Sequence, residues 1–146
     1  MENCPLCERK RNCAHGKYPY LIHEFKNSFL VLGEQQFHAG YCVLFLKDHF
    51  REMTDLSFSL QVELLQEMMQ SSQAIQDAYR PTKMNLCSLG NVVEHLHWHF
   101  FPRYETDPHF KQHPWHQEHL FSQAAITPDQ AQTEIRKIKN ALSKVV

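Results

Sequence analysis

His95-Leu96-His97-Trp98-His99-Phe100-Phe101-Pro102-Arg103-Tyr104 opens with imidazoles alternating with large apolar side chains. Period-two alternation marks a strand whose two faces meet different surroundings. His95, His97 and His99 therefore share one face, and Leu96, Trp98 and Phe100 the other. The apolar face belongs to a core. The other carries three rings about 6–7 Å apart, and packing does not explain them, because each buried ring nitrogen needs a partner. The plain reading is a row of partly exposed histidines bonded to loops. The functional reading is a reaction centre.

Outward from this strand, Lys83–Leu89 reads as its hairpin partner across a short Gly90-Asn91 turn. Tyr20–Phe25, Asn27–Leu32 and Tyr41–Lys47 are short apolar-aromatic runs that read as a strand meander. From about Leu56 to Tyr79 the period changes. Leu60, Leu64, Leu65, Met68, Ile75 and Tyr79 recur at helical spacing, and Pro81 closes the segment. Met68 and Met69 read as core filling. Residues 105–122, rich in His and Pro, read as an irregular ordered arm anchored by Phe110, Trp115 and Phe121, with His109, His113, His116 and His119 as loop residues. A last helix starts at Thr127-Pro128-Asp129-Gln130, where Thr caps, Pro fits the first turn and Gln closes a capping box. Its apolar stripe is Ile135, Ile138, Leu142 and Val145. The expected class is α+β: an antiparallel sheet of about five strands, one long helix packed on it and a C-terminal helix. Residues 1–146 form one domain, with a core over about 20–104, an N-terminal arm over 1–19 and a C-terminal arm and helix over 105–146.

The chain has 146 residues and a formal charge of -1, with 15 basic against 16 acidic side chains. No global positive field attracts a nucleic-acid backbone or an anionic membrane, so any phosphate is captured locally. No apolar run approaches the roughly 20 residues of a span, and Met1-Glu2-Asn3-Cys4 lacks a leader pattern, which points to the cytoplasm. Five cysteines, an odd number, argue against a disulfide framework and direct attention to metal or redox use of a subset. Cys4-Pro5-Leu6-Cys7 suits either a soft metal or a redox pair. The redox use wants a preceding strand, which Glu8-Arg9-Lys10-Arg11-Asn12 and its surroundings do not supply. Cys42 and Cys87 read as small buried strand residues. No organic cofactor is expected.

The segment from Asn85 to Tyr104 closely resembles the histidine-triad family of nucleotide hydrolases and transferases, whose signature is three histidines alternating with hydrophobic residues. Gly40-Tyr41-Cys42-Val43-Leu44-Phe45-Leu46-Lys47-Asp48-His49 is similar to the family's glycine, apolar strand and Lys-x-His ending, and Met53-Thr54-Asp55-Leu56 to the turn that follows. The likeness spans about residues 20–104. Asp107-Pro108, Pro114 and Trp115 are similar to a bacterial branch described as diadenosine-polyphosphate hydrolases.

The resemblance implies a fold and a chemistry. His97 is the expected nucleophile, since an imidazole with a pKa near 6.5 is largely unprotonated at pH 7. Attack on an α-phosphate leaves a nucleotidyl-histidine that water hydrolyses. His99 donates hydrogen bonds to phosphate oxygens or protonates the leaving group. Asn85, Gly90, Asn91 and Val92 stand where the family surrounds the phosphate, although Asn85 and Asn91 equally suit turn formation. A ribose-contacting acid or amide falls near Gly33-Glu34-Gln35, with Glu34 carried over. Many members have His where Tyr41 stands, so that imidazole is absent or replaced by the Tyr41 hydroxyl. Glu94 stands where close relatives often have Pro.

Some members bind zinc through residues corresponding to Cys4, Cys7, His49 and His95, which implies a closed, structural tetrahedral site. Cys13 and His15 are alternative ligands nearby. The family also implies a homodimer, with a nucleotide as the only other partner. Two other readings stand beside this one: a metallohydrolase whose triad histidines hold a catalytic zinc, and a non-catalytic nucleotide-binding protein.

Overall fold

Residues 4–146 are described by a computed structural model; residues 1–3 of the N-terminal arm lie outside the described residues. The expected sheet is present: β1 (Leu21–Glu24), β2 (Ser28–Leu32), β3 (Cys42–Leu46), β4 (Lys83–Cys87) and β5 (His97–Arg103). All pairs are antiparallel, in the order β1-β2-β3-β5-β4. Helix α1 spans Pro5–Ala14, α2 Phe58–Tyr79 and α3 Pro128–Leu142.

Every residue of β2 and β3 is buried, which explains their continuous apolar runs: they sit mid-sheet and are covered on both faces. On one face, Leu30, Leu32, Leu44, Leu46, Trp98 and Phe100 pack with Leu64 and Ile75 of α2 and Ile135 and Ile138 of α3. On the other, Phe29, Val31, Val43 and Phe45 meet Leu6 and Cys13 of α1. The pleat thus gives one face to the helical core and the other to α1 and the triad.

Local chemistry sets the helix ends. The Ser57 side chain accepts a hydrogen bond from Leu60 N–H at the start of α2. Arg80 ends that helix at φ 50°, and Pro81 prevents its continuation. Thr127 and Gln130 form the expected capping box of α3.

Four expectations change. The N-terminal arm is largely helical, because Pro5 suits a first turn and Leu6 and Cys13 share the face that covers the sheet. β4 and β5 are not joined by a tight turn: Cys87 pairs with His99, so residues 88–96 form an irregular connection. Met68 is buried, but Met69 and Leu65 point outward. The C-terminal arm, expected to be ordered but irregular, contains a 3-10 segment over Pro114–Ala124. Among the described residues, no helix is long and apolar enough to cross a membrane.

The buried Glu67 of α2 pins the β1–β2 turn. Its carboxylate accepts from the Ser28 hydroxyl at 2.6 Å and from the Asn27 backbone and side-chain amides at 2.9 and 3.1 Å. Removing the acceptor strands these donors, so Glu67→Ala is expected to cost about 2–3 kcal/mol in urea unfolding. An unchanged midpoint would show that water replaces the carboxylate.

Candidate active site and metal clasp

Strand register assembles the site. On the α1 face His97 lies opposite Phe45, His99 opposite Val43 on one side and Cys87 on the other, and Asn85 opposite Phe101. Trp98 and Phe100 anchor the opposite face in the core, so the imidazoles cannot rotate away without unpacking the sheet. The strand proper begins at His97, and His95 precedes it fully buried.

Hydrogen bonds fix the ring tautomers. The His95 carbonyl can only accept, so His97 Nδ1–H donates to it at 2.7 Å. Neutral His97 therefore presents an unprotonated Nε2. That atom lies 3.1 Å from His99 Nε2, which consequently carries the proton. His99 Nδ1 lies 2.7 Å from the Tyr41 hydroxyl. His95 Nε2–H donates to the Leu46 carbonyl at 2.8 Å, which leaves its Nδ1 free to act as a ligand.

Burial, followed by the Arg9 charge, holds His97 below the usual imidazole value. Burial, followed by His97, brings His99 down to about 4. His99 is therefore a neutral donor near pH 7, a state that suits the expected hydrogen bond to phosphate better than the expected proton donation to a leaving group. The edge of Trp115 packs against His99, with ring centroids 5.0 Å apart, and against Phe101 at 4.8 Å. This cover shields one side of the triad from solvent.

Beside the triad's face, a cavity of about 310 Å³ is lined by Val31, Gly33, Glu34, Tyr41 and Val43, with Arg9 and Tyr18 at the rim. Arg9 pairs with Glu34 at 3.2 Å and lies over the Tyr18 ring, whose hydroxyl also donates to Glu34. Glu34 is thus at the cavity. Asn85 is on the triad's face, with its Oδ1 accepting from the buried Arg103 at 3.4 Å. Gly90 and Asn91 line a different recess with Arg51, Glu52 and Glu94, and the Val92 side chain is fully outward. Glu94, whose role the sequence left without a reading, pairs with Arg51 at 2.8 Å.

Cys4, Cys7, His49 and His95 converge, with one donor atom from each within 4.8 Å of the others. Their S···N separations are 3.3, 3.5 and 3.6 Å. A tetrahedral zinc with ordinary Zn–S and Zn–N bonds requires about 3.5 Å between S and N ligands. The donor set therefore fits that metal. Cys13 is buried against the sheet, and the His15 ring turns back to the Arg11 carbonyl, so neither joins the set. Because His95 faces the cysteines, the three triad rings do not converge on one point. Among the described residues, no other His/Cys/Asp/Glu group has metal-ligand spacing.

The HIT domain family profile matches residues 17–106. The chain belongs to the HIT domain family. Its fold is similar to that of a histidine triad protein from Marinobacter aquaeolei VT8, with a TM-score of 0.74, 23% identity and 98% of each chain covered. It is also similar to a zinc-bound histidine triad family protein from Mycobacterium smegmatis, with a TM-score of 0.68, 20% identity, and 98% of this chain and 95% of that one covered. Diadenosine triphosphate hydrolase of Plasmodium falciparum matches at TM-score 0.60 and 16% identity, over 86% of this chain and 78% of that one. No curated protein matches the chain. The HIT family includes hydrolases, and its alternating triad is the element that the sheet presents here.

One contributor, Arg9, was missed in the sequence, and the part of another, Trp115, was read only as an anchor of the C-terminal arm. Arg9 could have been found by extending helical periodicity through Leu6, Arg9 and Cys13, which share a stripe. The contact of Trp115 with His99 carries no local signal, because it depends on how the C-terminal arm folds back.

Unfolding returns these imidazoles toward their ordinary 6.5. Below that value the unfolded chain binds more protons, so stability present above about pH 6.5 is lost as pH falls toward 4. The urea midpoint is expected to drop between pH 7 and pH 4.5, and the drop to shrink in His99→Gln. An identical drop in both proteins would remove His99 as a contributor.

Proposed function

We propose that the chain is a nucleotide hydrolase or nucleotidyltransferase acting on the α-phosphate of a dinucleoside polyphosphate or related nucleotide conjugate. The observation that carries this reading is the fixed, neutral His97, whose Nε2 lone pair lies beside the Nε2–H of His99.

In this mechanism His97 Nε2 forms a bond to phosphorus while the bond to the leaving group breaks, and the leaving group departs with the electron pair. The ring becomes cationic, and its Nδ1–H remains bonded to the His95 carbonyl, which stabilises that charge. His99 Nε2–H turns from the His97 lone pair to a non-bridging phosphate oxygen. Water then attacks phosphorus, the P–N bond breaks and the lone pair returns to His97; another acceptor in place of water gives transfer. Val31 and Val43 offer an apolar floor for the base, and Glu34 a carboxylate for ribose hydroxyls. Asn85 takes the phosphate, and the family resemblance assigns Gly90, Asn91 and Val92 to it as backbone donors. The hydrolase named for the Plasmodium relative supports the substrate class.

Zinc in the Cys4, Cys7, His49 and His95 clasp belongs to the same proposal, supported by the donor distances and by the zinc-bound relative. With four protein ligands it supplies folding energy and orientation. Five free cysteines with no disulfide suit a reducing compartment such as the cytoplasm. About one zinc per chain is expected by elemental analysis, lost together with thermal stability in Cys4→Ser. Metal-free native protein with unchanged Tm would refute the clasp.

The working unit is a homodimer. β4 is a sheet edge, and Phe58, Val62, Leu65 and Met69 form an exposed apolar stripe along α2 at helical spacing. Leu65→Arg is expected to shift sedimentation from dimer to monomer; a monomeric wild type would contradict this.

The catalytic reading is tested with α-labelled diadenosine tetraphosphate and a rapid alkaline quench. Acid-labile label on the wild type, absent from His97→Ala with turnover reduced about a thousandfold or more, is the expected result. Turnover without label, stopped by chelation while the fold persists, would replace it with metal-activated water.

A further inference from the structure

We infer that Tyr41 is a positioning residue for the triad: its hydroxyl donates to His99 Nδ1 and so holds the His99 Nε2–H toward the position of the reacting phosphate. The inference rests on the proposed roles of His97 and His99 and adds a residue to them.

Only one proton arrangement satisfies the chain of contacts. His97 Nδ1–H is committed to the His95 carbonyl, so His97 Nε2 is a lone pair. If His99 carried its proton on Nδ1, its own Nε2 lone pair would face that of His97 at 3.1 Å, an unfavourable pairing with no donor between them. The Tyr41 O–H, 2.7 Å from His99 Nδ1, blocks that tautomer by supplying the proton from outside. Burial pushes the Tyr41 phenol well above its usual range, so the donor stays protonated.

The surroundings hold the hydroxyl in place. The Tyr41 ring stacks on Phe101, with centroids 4.5 Å apart and planes 9° from parallel. It occupies the space above Gly33, where any Cβ would overlap it. This accounts for glycine at one of the two positions where the family likeness suggests an acid or amide. The Tyr41 backbone is equally fixed. Its carbonyl accepts from Gly33 N–H at 2.9 Å and from Gln36 Nε2 at 2.8 Å, while Gln36 also bonds the Gly33 carbonyl. Gly40, at φ +87°, makes the turn that delivers Tyr41 into β3.

The family likeness suggests a histidine in many members at this place. A tyrosine reaches His99 with a group that donates and does not titrate near neutrality. That leaves the neutral His99 as the polar contact to phosphate on this side of the nucleophile.

Tyr41→Phe keeps the ring, its stacking and its place over Gly33, and removes only the donor. The test is nitrogen-15 NMR of histidine-labelled free protein, with kinetics on diadenosine tetraphosphate alongside. In the wild type, His99 is expected to be protonated at Nε2 and bare at Nδ1. In Tyr41→Phe it should become a tautomer mixture at unchanged Tm, with kcat down about tenfold and KM within about twofold. A purely structural role would move Tm and leave the tautomer alone. Wild-type His99 protonated at Nδ1, or Tyr41→Phe retaining a single Nε2–H form or full kcat, overturns the inference. The spectra need no substrate, so a wild type that fails to turn over the dinucleotide defeats the proposed function and leaves the tautomer assignment to stand or fall by itself.

Discussion

The 2.7 Å hydrogen bond from His97 Nδ1–H to the carbonyl of His95 determines what the rest of the site can do. It commits one ring nitrogen and leaves the other bare, which is the state the proposed nucleophile requires, with no base needed to deprotonate it. It also connects the reacting residue to the backbone of the residue whose own ring belongs to the cysteine clasp. The pleat then places His99 next along the same face, and core packing of Trp98 and Phe100 holds both rings from behind. Neutrality of His99, enforced by burial, makes it a donor and not a competing cation.

The N-terminal helix links the proposed metal clasp and the candidate substrate cavity in one element. Pro5–Ala14 begins beside Cys4, carries Cys7 to His49 and His95, buries Leu6 and Cys13 against the sheet, and sets Arg9 at the cavity rim against Glu34. A chain of this size has a core of its own, so the clasp is not needed to create a fold. Its consequence is local: it ties α1 to the turn that leads into the triad, and so fixes both His95 and the Arg9–Glu34 pair.

Much of this was legible in the sequence because it depends on period and on short signals. Alternation through His95–Phe100 gave the triad's face, helical spacing gave α2, and Thr127-Pro128-Asp129-Gln130 gave the start of α3. The ligand set Cys4, Cys7, His49 and His95, carried over by family likeness, converges in space. Less legible was whatever depends on register or on distant folding. The length of the 88–96 connection follows from pairing Cys87 with His99, which spacing alone does not reveal, and within it Gly90 and Asn91 line a recess with Arg51, Glu52 and Glu94. A helix over Pro5–Ala14 was hidden by its charge, because its stability comes from two buried side chains and not from a strong apolar pattern. Tyr41 was visible as a departure from a family pattern, but its role required the distance to His99.

The claim on which the account turns is a double displacement through His97. Its most direct test is the stereochemical course at phosphorus, using a substrate made chiral at the α-phosphate by sulfur substitution and hydrolysed in oxygen-18 water. Two in-line displacements, first by His97 Nε2 and then by water, predict overall retention of configuration. Inversion would mean that water attacks phosphorus directly, and would contradict the covalent role of His97.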